Sequence, residues 1–487
     1  MIQGTSSSVG KSIIAAALCR LFTRRGLKVA PFKAQNMALN SFVTSRGKEM
    51  GRAQVVQAMA CCRKPEVDMN PILLKPEGDS TSQVVVMGSP WKTLKAREYY
   101  RYRDELWGFV KDSMERLLTD NDLIIVEGAG SPAEINLKKN EIVNMKVARE
   151  FDIPVLLAGD IDRGGVFASL VGTLSLLERE ERDLVKGFII NKFRGDIKLL
   201  EPGLDMLAEL AGGTPTLGVI PYIRNIRMAQ EDSVYLDENP VSGEEGAIDI
   251  VVVKFPRISN YDDFDALSME EGVQVRFVDD PAEMGNPHAI ILPGSKTTLK
   301  DLAWLRYKGL DSLIMAHVAS GASLVGICGG YQMLGSVIRD PMGVEGASGE
   351  QPGLGMLPIS TDFEPVKQTT QIKGTFHGGK GTETMEVEGY EIHMGTSRIL
   401  EGGTPFLQLE DGRSDGCLSA GGRIWGTYLH GIFDTPAFRS EWLRSLGWNG
   451  TSPSISLSEV REAEFERLAD VFEQNMDIAL LEKIAGL

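Results

Sequence analysis

The sequence predicts an α/β protein built from two units in series, a doubly wound parallel sheet carrying a P-loop and a second α/β unit carrying a nucleophile elbow. Three observations predict it. Short continuous apolar runs such as Leu123-Ile124-Ile125-Val126 and Ala289-Ile290-Ile291-Leu292 alternate with helical stretches, as strands buried on both faces do. Gly4-Thr5-Ser6-Ser7-Ser8-Val9-Gly10-Lys11-Ser12 leads straight into the helical pattern of 13–24. Finally, Leu324-Val325-Gly326-Ile327 reads as a strand that turns sharply at Cys328, with Gly329-Gly330-Tyr331-Gln332-Met333-Leu334-Gly335 opening the next helix.

A chain of 487 residues exceeds one ordinary core, and its hydrophobic content of 43% with 24% charged residues is that of a globular protein. No apolar run reaches the roughly 18 residues needed to span a bilayer. The net charge of −16 argues against nonspecific nucleic-acid binding and leaves any anionic substrate dependent on local basic groups. Cys19, Cys61, Cys62, Cys328 and Cys417 form no CxxC pair, and nothing ahead of the first motif reads as a signal peptide. A reduced, cytoplasmic protein is expected, with its oligomeric state left open.

Backbone N–H groups of the first loop, together with Gly10, cradle phosphates. Lys11 neutralises the β/γ oxygens, and the Ser12 hydroxyl holds Mg²⁺. The first glycine, Gly4, stands one residue ahead of its usual place, which Thr5 occupies. Met1-Ile2-Gln3 is short for a central strand, so a start slightly upstream is expected. A strand at 28–32 delivers Lys33-Ala34-Gln35-Asn36-Met37, whose lysine among amides suits a substrate bearing carboxylates and amides; a capping loop with a solvated lysine is the alternative. Lys75, ahead of a strand at 83–88, reads the same way. The strand 123–126 ends in Glu127, and the strand 153–158 is followed by Asp160. Both are carboxylates at strand ends, where Mg²⁺ partners are expected. The strand 188–190 ends in Asn191-Lys192, which either clamps the nucleotide base or caps a turn.

The acidic, Pro- and Gly-containing stretch at 237–247 reads as a linker. Strands at 248–253, 273–278 and 289–292 follow, the last leading into Pro293-Gly294-Ser295-Lys296. At the elbow the glycines let the backbone approach a substrate, and the start of the following helix favours a Cys328 thiolate. From Ser456, with Glu459 three residues on, Phe465, Leu468, Phe472, Met476, Leu480 and Ile484 recur at helical spacing. A capped amphipathic helix packing on the second unit, or an oligomer interface, is expected.

Gly-Ile-Cys-Gly-Gly-Tyr-Gln-Met-Leu-Gly resembles the elbow of the class I glutamine amidotransferases, and the shifted P-loop resembles that of dethiobiotin synthetase and the cobalamin amidoligases. The resemblance implies an ATP-dependent amidoligase domain at 1–236, a glutamine amidotransferase domain at 248–441 and a helical extension at 442–487. It also implies that Gly294, Ser295 and the N–H of Gly329 form the oxyanion hole. Of the five histidines, His430 follows an apolar strand about 100 residues after the elbow, where amidotransferases keep their base. The glutamate usual two residues later is replaced by Ile432, so the group orienting His430 is open, with Asp434 or a backbone carbonyl as candidates. With the Lys33 and Asn191 blocks, the resemblance extends over nearly the whole chain to the cobalamin-pathway amidotransferases. It implies ATP, Mg²⁺ and L-glutamine, and a corrinoid substrate: four peripheral carboxylates (b, d, e, g) of adenosylcobyrinic acid a,c-diamide would become amides. The sister enzyme acting on the a and c carboxylates, and a P-loop ATPase with a noncatalytic second half, are the alternatives.

Overall fold

A computed structural model describes residues 1–228, 247–345, 349–377, 384–450 and 456–487. The linker stretch at 237–246 lies outside them. Six parallel strands form the N-terminal sheet in the spatial order Val29–Phe32, Leu123–Val126, Ile2–Gly4, Val155–Asp160, Val185–Phe193, Thr216–Pro221, with a bridge from Ile2 to Glu127 joining its two parts. Alternate residues face opposite cores. Val155, Leu157, Phe188 and Ile190 enter one apolar cluster, and Leu156, Ala158 and Ile189 the other. This alternation is why the strands read as unbroken apolar runs. The short Ile2–Gly4 strand lies centrally, with Ile2 paired to Leu156 on one side and bridged to Glu127 on the other.

Two features differ from expectation. The segment preceding the 83–88 region is itself a strand, Ile72–Pro76. It pairs with Thr81–Val86, which pairs with Ser89–Lys95, giving an antiparallel meander beside Gln35–Met37. The C-terminal amphipathic pattern is two helices, Leu457–Asn475 and Ile478–Ala485, separated at Met476. The capping box of Ser456 and Glu459 is present as read. The apolar face, however, does not chiefly cover the second unit. Phe465, Leu468, Phe472, Met476 and Leu481 share one cluster with Ile14, Leu18 and Phe22 of the helix Lys11–Arg24. Arg24 reinforces the contact with ion pairs to Asp470 at 2.5 Å and Glu473 at 2.6 Å. The chain therefore returns at its end to complete the core it began with.

The C-terminal sheet has five parallel strands in the order Val273–Val278, Ile248–Val253, Ala289–Leu292, Ser323–Ile327, Ile424–Thr427. It continues through antiparallel strands into the long hairpin of Ile359–His377 and Thr384–Ile399. No helix among the described residues is long and apolar enough to cross a membrane.

Candidate active sites

The strand Ser323–Ile327 is buried throughout and stops at Cys328, whose φ of 51° and ψ of −108° place a β-carbon in a region costly for any residue but glycine. Such strain presents the thiol at the head of the helix Gly329–Leu334. Gly330 is obligatory here, because a β-carbon on it would lie 1.9 Å from the Leu292 carbonyl oxygen. Cys328 Sγ lies 3.6 Å from the Ile392 carbonyl oxygen on the long hairpin. A β-carbon on Gly329 would stand 2.9 Å from the Ser295 backbone nitrogen, so the three residues implied for the oxyanion hole, Gly294, Ser295 and Gly329, converge beside the elbow. Ser295 is fixed through its hydroxyl, which donates to Asp301 Oδ2 at 2.6 Å and accepts from the Thr297 N–H.

His430 follows the strand Ile424–Thr427 and is 1% exposed. Its Nδ1 lies 2.6 Å from Asp263 Oδ2, while Asp263 Oδ1 accepts the Gly431 N–H at 3.0 Å. A carboxylate on Nδ1 fixes the proton there and leaves Nε2 for the thiol. Burial disfavours the charged imidazole, yet the Asp263 charge and hydrogen bond, together with a hydrogen bond to Cys328, outweigh it and push His430 up to about 10. Asp263 is the orienting group that sequence reasoning missed. Neither expected candidate takes that place: Asp434 is half-buried, donates its own N–H to the Gly431 carbonyl oxygen, and is pushed up to about 6 chiefly by desolvation. The one signal for Asp263 was the tandem Asp262-Asp263 beside two aromatics, well upstream of the elbow. His393, the other histidine nearby, stacks on Tyr428 at 3.7 Å and is engaged by Glu391 and the Gly395 carbonyl.

In the N-terminal half, Gly10 has φ 97° and caps the helix Lys11–Arg24. Lys11 Nζ donates to the carbonyl oxygens of Ser6 at 2.9 Å and Gly130 at 3.1 Å. The Thr5 N–H donates to Ala158 O, which ties the loop to the sheet. Asn191 and Lys192 do reach this loop, but as braces. Asn191 Nδ2 donates to Val9 O at 2.8 Å, and Lys192 Nζ to Ser8 O at 2.9 Å and to Asp160 Oδ2 at 2.8 Å. Their side chains are thereby engaged with the loop's own backbone.

Glu127 is the buried hub of this site. Ser12 Oγ donates to its Oε1 at 2.8 Å and Lys33 Nζ at 3.0 Å, while Gln57 Nε2 donates to Oε2 at 2.5 Å. Burial works against its charge, but Lys33, Gln57 and Ser12 prevail and hold the carboxyl below its ordinary range. Gln35 and Asn36 lie on the adjoining strand, where Asn36 Nδ2 donates to Gln54 Oε1 at 2.9 Å and Gln35 accepts from the Tyr99 hydroxyl. Lys75 departs from its expected place at the ligand-facing end. Its ammonium is buried against Glu49 Oε1 at 2.7 Å and Ser41 Oγ at 2.9 Å, and Lys367 of the second half completes the triad at 2.5 Å from Glu49 Oε2. A strand lysine aligned in sequence with a substrate loop is thus used to join the halves.

Residues 1–234 match the CobQ/CobB/MinD/ParA nucleotide binding domain, and residues 249–438 match the CobB/CobQ-like glutamine amidotransferase domain. The chain is 50% identical to the cobyric acid synthase of Sorangium cellulosum (strain So ce56), covering 100% of this chain and 98% of that protein. It is 51% identical to that of Dehalococcoides mccartyi (strain CBDB1), with the same coverage. Against that of Moorella thermoacetica (strain ATCC 39073 / JCM 9320) the identity is 49%, over 100% and 97%. Identity of about half, sustained from end to end across both the phosphate-binding and the thiol-bearing halves, means that the chain belongs to the cobyric acid synthase family.

Proposed function

We propose that the protein amidates four peripheral carboxylates (b, d, e, g) of adenosylcobyrinic acid a,c-diamide, using ATP and L-glutamine, to give adenosylcobyric acid. The observation that carries the reading is the pairing, on one chain, of the Cys328, His430 and Asp263 constellation with a phosphate loop whose serine touches a strand-end carboxylate. A carboxylate is a poor electrophile, so the N-terminal half transfers the γ-phosphoryl group of ATP to a corrinoid carboxylate oxygen, releasing ADP and leaving an acyl phosphate. Thr5, Gly10 and Lys11 hold the phosphates, and Asn191 and Lys192 keep the loop in shape around the nucleotide. Lys33, Gln35 and Asn36 face the incoming carboxylate at the strand end. Ser12 and the carboxylates Glu127 and Asp160 fit Mg²⁺, which prefers one or two carboxylates beside phosphate oxygens and would neutralise charge on the β- and γ-phosphates.

In the other half, Cys328 Sγ attacks the side-chain carbonyl carbon of glutamine. The oxyanion is received by the Gly294-Ser295 segment and the Gly329 N–H, and His430 passes its proton to the departing ammonia. An imidazole raised to about 10 is protonated at neutral pH, which suits it to that donation. Water then hydrolyses the thioester to glutamate, and the ammonia displaces phosphate from the acyl phosphate to form the amide. The free cysteines and the absence of a long apolar helix among the described residues fit a cytoplasmic enzyme acting on a small molecule. Mass spectrometry of adenosylcobyrinic acid a,c-diamide incubated with the protein, Mg-ATP and glutamine tests the reading. Four successive amidations are expected, and an unchanged mass would overturn it.

A further inference from the structure

Asp262 precedes Asp263 in the chain, and both carboxylates are buried. Adjacent carboxylates in a site of low polarity cannot both stay ionised without a cation, because one takes up a proton instead. The cation comes from the other half of the molecule. Arg52, the first residue of the helix Arg52–Ala60, places Nε 2.7 Å from Asp262 Oδ2 in a charge contact, with side-chain exposures of 5% and 3%. The same N-terminal segment backs the imidazole. Asn260 Nδ2 donates to Ser41 O at 2.9 Å, and the Tyr390 hydroxyl donates to that oxygen at 3.2 Å. The Tyr390 ring lies nearly parallel to His430, with centroids 5.3 Å apart. Phe42 meets Tyr390 edge-on at 5.1 Å, and the Arg52 guanidinium lies over Phe42 at 5.3 Å.

Positive charge is scarce here. Asp262, Asp265 and Asp434 share Arg52 and Arg461, and Asp262 Oδ1, Asp434 Oδ1 and Arg461 Nη2 have no hydrogen-bond partner among the described residues. Losing Arg52 would leave one guanidinium for three neighbouring carboxylates, at the residue adjoining the one that holds His430.

We propose that Arg52, supplied by the nucleotide-binding half, is a positioning residue of the glutamine half-reaction: by neutralising Asp262 it leaves Asp263 ionised and aimed at His430. The inference rests on the function proposed above. It assigns to the first half a part in chemistry performed entirely in the second.

The test uses the full chain with R52M, R52K and the double variant R52M/D262N, measuring amidation driven by glutamine and by ammonium chloride. R52M is expected to lower kcat with glutamine by about tenfold or more, the scale expected when a buried charge loses its partner. The KM for glutamine and the ammonium-driven rate should stay within about twofold, since neither depends on how the imidazole is poised. Adding D262N removes the stranded carboxylate and should restore most of the lost kcat, while R52K should fall between R52M and the parent. Equal loss of the glutamine- and ammonium-driven rates, no loss with glutamine, or failure of D262N to restore would each overturn the assignment. If R52M does not fold, R52K is read by the same selectivity between the two nitrogen sources. A parent protein that amidates with neither source would instead overturn the proposed function.

Discussion

Asp263 Oδ2 lies 2.6 Å from His430 Nδ1 although 167 residues separate them in the chain. The carboxylate reaches the imidazole from a short helical turn, Tyr261–Phe264, that follows the strands Ile248–Val253 and Ile258–Ser259. Replacing Asp263 with Asn keeps the shape and removes the charge. Glutamine-dependent turnover should fall by about 100-fold or more, towards the 10⁴-fold loss seen when an orienting carboxylate is neutralised. Ammonium-driven amidation by the same variant should match the parent, and parallel loss of both rates would mean that Asp263 acts on the whole fold.

Cys328→Ser should abolish glutamine-dependent amidation and leave the ammonium-driven reaction and its ATP consumption intact. The thioester forms only at this thiol, and supplied ammonia bypasses it. Retention of full glutamine-dependent activity would remove Cys328 from the chemistry.

Lys11→Ala should stop amidation with either nitrogen source, because the carboxylate must be activated before any nitrogen is used. The ammonium-driven rate is the decisive reading. A normal value would displace the phosphate site from this loop.

Buried His430 would be disfavoured as a cation, but Asp263 and Cys328 reverse this and raise its folded value to about 10, against about 6.5 when unfolded. The stabilisation from the charged pair is therefore fully present below about pH 6.5 and is lost as pH rises through about 10. The difference in Tm between the parent and Asp263→Asn should be largest at the lower end of this window and shrink at its upper end. A difference that grows with pH would show that the imidazole is held neutral.

The two chemical centres were legible because each is written in consecutive residues. A phosphate loop needs its glycines and lysine together, and a nucleophile elbow needs glycines on both sides of the cysteine, where Gly330 has no room for a side chain. The strands were legible for a similar reason, since Ile248–Val253 is apolar at nearly every position. What escaped was contributed across the chain. Asp263 lies ahead of the elbow, so a search after His430 could find only Asp434. Lys75 looks like a ligand lysine until Glu49 and Lys367 are seen around it. The amphipathic C-terminal pattern named its apolar face correctly but could not name what covers that face, because periodicity carries no address.

That covering face has a consequence for how the protein is made. The helix Lys11–Arg24 leaves the ribosome well before the whole second half of the chain, yet the residues that pack on Ile14, Leu18 and Phe22 emerge only after that half. Domains ordinarily fold one after another as they are synthesised. Here the nucleotide-binding half waits with one apolar side uncovered until the helices Leu457–Asn475 and Ile478–Ala485 have been made, and the ion pair from Arg20 to Glu462 closes a loop of 442 residues. Loop-closure entropy rises only slowly with length, so such a distant closure costs little more than a near one. Its burden is time: a nascent chain stalled in the second half exposes the apolar groove of the first.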